Sequence, residues 1–389
     1  MLMKAEQVEV VTQIRDTVLK VCEEFGGEYW RAKDRAREYP TEFVNSLTEL
    51  GLLASLIPEE YGGSGLPISI GAEILKAIHE FGANAGACHA QMYTMGTVLR
   101  HGSEEQKQQY LPLIASGKLR LQAFGVTEPT AGTDTTSIST VAEKNGDKYI
   151  VNGQKVWTSR AEHSDLMVLL ARTTPKESVK KKSQGLSVFL IDMREALKNG
   201  MTIKPIRTML NHSTTEIFFD NVPIPESSLI GEEGKGFKYI LSGMNAERIL
   251  IAAECIGDAR WFIKKATDYA NERVVFGRPI GQNQGIQFPI ARAFSQTEAA
   301  EAILDKASTL YEDGDTSGTY ANMAKLLSSE ASWAAAEMCM QTHGGFAVAE
   351  EYDIERKFRE ARLYQIAPIS TNLILSYLAE HELGLPRSY

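Results

Sequence analysis

Residues 126–134, VTEPTAGTD, carry three threonines, Thr127, Thr130 and Thr133, around two chain breakers, Pro129 and Gly132. Short hydroxyl donors beside backbone N–H groups that no regular element uses can bind the acceptor-rich edge of a ring, or a phosphate. Farther on, Asn145-Gly146 and Asn152-Gly153 punctuate an alternating run of Tyr149, Val151 and Val156, as expected of hairpin strands. Trp157 and Ser159 then share a strand face, because side chains repeat every second residue. The plainer reading of these residues is a surface β-meander with a partly buried tryptophan.

A second place for chemistry is the helical stretch GFKYILSGMNAERILIAAECIG at 236–257. Ile240, Met244, Ile251 and Cys255 recur at helical spacing, and Glu247 lies on their stripe, three residues after Met244 and four before Ile251. Such a carboxylate is either at the stripe's wet edge or held in an apolar cavity. Burial would raise its pKa, which suits a base that must take a weakly acidic carbon-bound proton. Arg248 points about 100° away on the helix and need not neutralise it.

Other chemistries lose support. No G-x-G-x-x-G follows a strand and no G-x-x-x-x-G-K-[ST] occurs, which argues against nicotinamide and P-loop sites. The seven histidines form no His-x-x-x-His pair, so no metal is expected. A Gly-x-Ser-x-Gly elbow is absent. Cys22, Cys88, Cys255 and Cys339 are widely spaced, which fits reduced thiols in a cytoplasm better than disulfides. A net charge of −9 argues against a nucleic-acid face. No apolar run approaches the roughly 20 residues that span a bilayer, and the N-terminus lacks a signal-peptide core, so a soluble, unprocessed protein is expected. The basic segment at 176–185, KESVKKKSQG, reads as a solvated loop.

These residues need elements to position them. At 389 residues the chain should form two or three domains. Residues 1–121 read as helices, with turns at Tyr39-Pro40, 61–65 and 101–103, where Ser103 can cap the next helix. Residues 122–233 change to strands, including 167–173, 186–193 and 215–225. Residues 234–389 return to helical spacing over 236–272, 286–313, 318–343 and 368–382, which suggests an antiparallel four-helix bundle. The fold expected is mainly α with a β domain in the middle.

Six segments, in this order, carry a resemblance: IPEEYGGSG (57–65), VTEPTAGTD (126–134), NGQKVWTS (152–159), NERVVFGRPIGQNQ (271–284), QTHGGFAV (341–348) and DIERKFREARLYQI (353–366). Together they make the chain resemble acyl-CoA dehydrogenases over essentially its whole length. The resemblance implies an N-terminal helical domain, a middle β-barrel and a C-terminal four-helix bundle, in a homotetramer built as a pair of dimers. It also implies FAD, an acyl-CoA substrate and an electron-transferring flavoprotein as acceptor. By the same resemblance Phe124, Val126 and Thr127 lie along the isoalloxazine, Trp157 covers it, and Ser159 stands in for a threonine near N5. Gly132 and Thr133 would contact flavin phosphate and thioester ligand. Arg273, Phe276 and Gln284 would reach the adenosine diphosphate part across the dimer interface, facing Gln341, Gly344 and Gly345 of the other subunit. Ser370 and Asn372 would hold the pyrophosphate, and Met244, Asn245 and Arg248 would contact substrate or CoA.

The sequence departs from the family's commoner pattern in one place. Most members carry the catalytic base in a Tyr-Glu-Gly-Thr sequence near the C-terminus, but here the aligned residues are Ala367, Pro368, Ile369 and Ser370. A minority, including isovaleryl-CoA and long-chain enzymes, place it at the position of Glu247. Glu247 is therefore expected to remove the α-proton during α,β-dehydrogenation to the trans-2-enoyl-CoA. Pro368 has no N–H to help hold the thioester carbonyl, and the N–H of Ile369 is expected to take that role. The scaffold would also suit enoyl-CoA reduction, a non-redox elimination such as desulfination, a flavin monooxygenase or oxidase, or a non-catalytic relative.

Overall fold

A computed structural model describes residues 5–387. The chain divides into two compact units, one of residues up to Ala36, Pro67–Ala85 and Asn245 onward, the other of Arg37–Leu66 and Gly86–Met244. Helices thus precede and follow a strand-rich middle, as the residue patterns lead one to expect. The interleaving of the N-terminal third between the two units has no local sequence signal.

The second of these units is built on an eight-stranded sheet. Its strands are β1 (Leu121–Gly125), β2 (Val141–Asn145), β3 (Lys148–Ser159), β4 (Leu166–Arg172), β5 (Leu186–Asp192), β6 (Met201–Pro205), β7 (Thr214–Pro225) and β8 (Leu229–Ile230). They run in the order β6-β7-β3-β2-β4-β5-β8, with β1 parallel to β4. All seven residues of β4 are buried, which is why its first six, LMVLLA, are an unbroken apolar run rather than an alternating one. Tyr149, Val151, Met167, Leu169, Phe189, Ile217 and Phe219 are among the side chains of the core on this sheet. Burying each contributes about 1.5–3 kcal/mol.

The Asn145-Gly146 signal marks a hairpin: Asn145 pairs with Lys148, and Gly146 takes φ 65°. Asn152-Gly153 is not a second turn. It sits within β3 at a register shift against β7, and a Cβ on Gly153 would lie 2.5 Å from Thr140 Oγ1. The expected cap at Ser103 is a full capping box, Ser103 Oγ accepting from Gln106 N (3.2 Å) and Gln106 Oε1 from Ser103 N (3.0 Å).

The first unit holds helices Ala5–Glu24, Gly27–Ala36, Ile68–Phe81, Gln284–Glu312, Thr319–His343 and Thr371–His381, and all but the first turns of Gly236–Glu272. A further helix, Ile354–Leu363, lies in a stretch too rich in charge to read as apolar-periodic. Trp261, Phe262, Ala335, Ala336, Cys339 and Ile354 pack in the core of this unit. A buried polar cluster ties its elements: His79 Nε2 accepts from Ala85 N (3.0 Å), so Nδ1 carries the proton and donates to Asp258 Oδ1 (2.8 Å). Lys357 Nζ also reaches Asp258, at 2.5 Å. Lys357 and His79 hold the Asp258 carboxyl below its usual range against the opposing effect of burial. All four cysteines are buried and none is in a disulfide. Among the described residues no helix is long and apolar enough to cross a membrane, and no cluster of His, Cys, Asp or Glu could hold a metal ion.

Candidate functional site

The threonine loop after β1 is fixed from below by an ion pair. Glu128 N and O both bond to Ala131, each at 3.1 Å, closing a tight turn over Pro129 and Thr130. The Glu128 carboxylate accepts from Ser139 N (2.6 Å), Ser139 Oγ (2.8 Å), Thr140 N (2.9 Å) and Lys155 Nζ (2.9 Å). Burial would raise this carboxyl, but Lys155 and the Thr140 and Ser139 donors outweigh it and hold the group at about 2. Burial dominates at Lys155 itself and pushes it down to about 8 despite Glu128. Lys155 also donates to Val126 O at 3.0 Å, and Val156 N donates to Thr127 O at 2.9 Å. Gly132 and Thr133 are left exposed, and a Cβ on Gly132 would meet nothing nearer than 3.9 Å. Phe124, half-buried, stands edge-on to Tyr93 with ring centroids 5.6 Å apart.

Trp157 sits at a second register break, between the pairs Lys155–Ile217 and Thr158–Thr215. Its φ is 61°, at a bulge position where glycine is the usual occupant, and it costs roughly 1–2 kcal/mol for a side-chain-bearing residue. The bulge breaks the alternation on which the common face of Trp157 and Ser159 was read: Lys155 and Val156 are both buried. Beyond it the alternation resumes, with Trp157 60% exposed, Thr158 buried and Ser159 half-buried. Ser159 Oγ accepts from Asn211 Nδ2 at 2.8 Å.

In the other unit, Arg273, Gln341, Gly344 and Gly345 line one cleft of about 450 Å³, with Tyr269, His343 and Phe346. Arg273 lies over the Phe346 ring, 5.6 Å from its centroid. A Cβ on Gly344 or Gly345 would meet nothing within 4 Å, so the main chain there is open to close approach. Phe276 and Gly277, both at positive φ, turn a short hairpin of Val274–Val275 and Arg278–Pro279, and the Phe276 ring is fully exposed. Gln284 is exposed and opens helix Gln284–Glu312.

Glu247 is 5% exposed, which decides between the two readings of the stripe carboxylate in favour of burial. Ile251 and Cys255 are buried on the same helix, and Met244 is half-buried. Arg248, also buried, donates from Nη1 to Asn245 Oδ1 at 2.7 Å, while its Nε has no hydrogen-bond partner among the described residues. Burial pushes Arg248 down to about 10, with Glu247 opposing the shift, so the guanidinium stays charged at neutral pH. Ser370 caps helix Thr371–His381, its Oγ accepting from Leu373 N at 3.3 Å, and Asn372 is exposed in the first turn. Lys155 and Lys325, both buried, escape a reading by residue type, because lysine normally marks surface. The signal for Lys155 was its place in the run that puts Tyr149 and Val151 inward.

Taken by itself, the strand-rich unit presents an outward indole beside a hydroxyl and a threonine-rich loop, chemistry that suits a flat polar ring. Taken by itself, the other unit presents a glycine-floored cleft with an arginine, chemistry that suits an anionic group.

Models of the acyl-CoA dehydrogenase N-terminal, middle and C-terminal domains match residues 9–118, 123–222 and 234–381. The chain is 34% identical over 385 residues to acyl-CoA dehydrogenase fadE12 of Mycobacterium bovis, covering 97% of this chain and 96% of that protein. A solved glutaryl-coenzyme A dehydrogenase in complex with glutaryl-CoA is 29% identical, with a TM-score of 0.90 over 100% of this chain and 98% of the other. Butyryl-CoA dehydrogenase from Megasphaera elsdenii is 27% identical, with a TM-score of 0.91 over 98% and 99%. The chain belongs to the acyl-CoA dehydrogenase family of flavoprotein oxidoreductases.

Proposed function

We propose that this protein catalyses the α,β-dehydrogenation of an acyl-CoA thioester to the trans-2-enoyl-CoA, with Glu247 as the base. The observation that carries the reading is a carboxylate only 5% exposed on helix Gly236–Glu272, in a chain whose C-terminal segment 367–370 has none. A desolvated carboxylate is a stronger base than one in water. Glu247 takes the α-proton, and the charge that develops on the thioester oxygen is met by backbone N–H at Ile369, since Pro368 has none to give. Bound FAD supplies the two-electron acceptor for the hydride leaving the β-carbon.

Phe124, Val126, Thr127, Trp157 and Ser159 hold the flavin ring, and Gly132 and Thr133 its phosphate and the thioester. Arg273, Gln341, Gly344 and Gly345, which line one cleft of a single chain rather than facing one another across two subunits, bind with Phe276 and Gln284 the adenosine diphosphate part of a dinucleotide whose ring lies on a second copy, and Ser370 and Asn372 hold the pyrophosphate. Asn245, Arg248 and Met244 contact substrate. The working assembly is a homotetramer in the cytoplasm, delivering electrons to an electron-transferring flavoprotein.

Anaerobic mixing with a panel of straight and branched acyl-CoAs tests the reading. At least one should bleach the flavin within the dead time of a hand-mixed assay and yield the enoyl-CoA. A yellow protein that no acyl-CoA reduces, but that an enoyl-CoA reoxidises after chemical reduction, would instead be a reductase.

A further inference from the structure

Pro368 leaves the segment at 367–370 one donor short, and the next two residues are arranged in an unusual way. Among the described residues neither the Ile369 nor the Ser370 N–H has a hydrogen-bond acceptor, although both residues are partly buried. Two adjacent N–H groups with no protein acceptor are open to a ligand. The carbonyl in the same stretch is tightly held: Lys325 Nζ, from helix Thr319–His343, donates to Ile369 O at 2.7 Å.

Lys325 is fully buried. Burial pushes its ammonium down to about 8, Arg248 adds to that, and Cys255 and Glu247 work against it. A methionine would fill the same space without desolvating a cation, and such replacements of buried charges are often neutral or stabilising. Stability is therefore a weak reason for a lysine here. Geometry supplies a better one. The peptide unit is planar and trans, so the Ile369 carbonyl and the Ser370 N–H point in opposite directions, and fixing one aims the other. The Ile369 N–H belongs to the preceding peptide plane, joined to this one only through the φ and ψ of Ile369, so the clamp aims Ser370 N–H directly and restrains Ile369 N–H through that single residue.

We propose that Lys325 is a positioning residue. By clamping the Ile369 carbonyl it aims the open N–H groups of Ile369 and Ser370 at the thioester oxygen, supplying the polarisation that Pro368 cannot. The inference deepens the dehydrogenase reading and rests on it.

The test is vibrational. Oxidised holoenzyme is loaded with crotonyl-CoA or a longer 2-enoyl-CoA, unlabelled or carrying ¹³C at the carbonyl, and the difference spectrum isolates the bound C=O stretch. A hydrogen-bonded carbonyl absorbs at lower frequency than the free thioester. We expect a clear downshift in the wild type. In K325M at least half of it should be lost and kcat should fall roughly 10- to 10²-fold, with flavin absorbance and KM little changed. A full downshift in K325M overturns the inference and leaves the dehydrogenase reading standing. No downshift in the wild type overturns the donor role of the segment itself. If K325M yields no folded holoprotein, K325Q, whose amide stops one bond short of the carbonyl, replaces it and is judged by the same loss.

Discussion

Lys155 Nζ lies 2.9 Å from Glu128 Oε1, and neither side chain is more than 2% exposed. The pair carries the whole threonine loop, because Glu128 accepts from Ser139 and Thr140 while Lys155 holds Val126 O. Breaking a buried ion pair by removing one partner leaves an uncompensated charge, whereas removing both leaves none. E128Q should therefore cost about 3–5 kcal/mol of unfolding free energy. The double variant E128Q/K155M should cost clearly less than E128Q alone, and chemical denaturation of the three proteins measures the difference. Equal losses would mean that the loop, and not the pair, holds the stability.

The same pair sets an acid limit. Glu128 is depressed from 4.5 to about 2, so its contribution is complete above pH 4.5 and is lost as the pH falls toward 2. That contribution is about 3 kcal/mol. Lys155 is also depressed, to about 8, so its burial burdens the folded state below pH 8 and the burden lifts as the pH climbs toward 10.5. The melting temperature of the wild type should drop between pH 4.5 and 2 more steeply than that of E128Q/K155M. Parallel curves would remove Glu128 as the cause.

Glu247→Gln keeps the size of the side chain and removes its basicity. The variant should purify yellow with FAD bound, yet flavin bleaching by a good acyl-CoA should slow by roughly 10²–10⁴-fold. Stopped-flow absorbance gives the rate directly. Bleaching at the wild-type rate would dismiss Glu247 as the base.

Gly345→Ala adds a methyl where the chain itself has nothing within 4 Å. The flavin-free protein should melt within about 1 °C of the wild type, since surface substitutions without new contacts rarely matter. FAD affinity should nevertheless fall by about 10-fold or more, because the methyl occupies the space through which main chain meets phosphate. Titration with FAD followed by absorbance measures this, and an unchanged Kd would place the dinucleotide elsewhere.

Local chemistry made part of this molecule readable before any coordinates. The β4 run was legible because a strand buried on both faces is apolar throughout, and the start of helix Glu104–Ala115 because Ser103 and Gln106 cap it reciprocally. Helices Gly236–Glu272 and Thr319–His343 fell within a residue of their expected ends. The bulge at Trp157 was hidden because register depends on β7, more than fifty residues away. Glu247 could be placed on a stripe but not buried, since burial depends on what packs against the helix. Lys325 was invisible, and Lys155 was missed despite its inward-facing run, for a related reason: their partners, the Ile369 carbonyl and the Glu128 carboxylate, are 44 and 27 residues distant. Residue type reports the average environment of a lysine, and these two sit far from the average.

The outward ring of Trp157 also has an optical consequence. Of four tryptophans, Trp30 and Trp261 are sealed at 5% and 6% exposure, while Trp157 stands 60% open. Trp333 is half-buried, so ultraviolet-excited emission from the empty chain should carry a red, iodide-sensitive component chiefly from Trp157. A coloured aromatic ring settling against it would extinguish that component, so the polypeptide brings its own occupancy gauge, readable without substrate, dye or turnover.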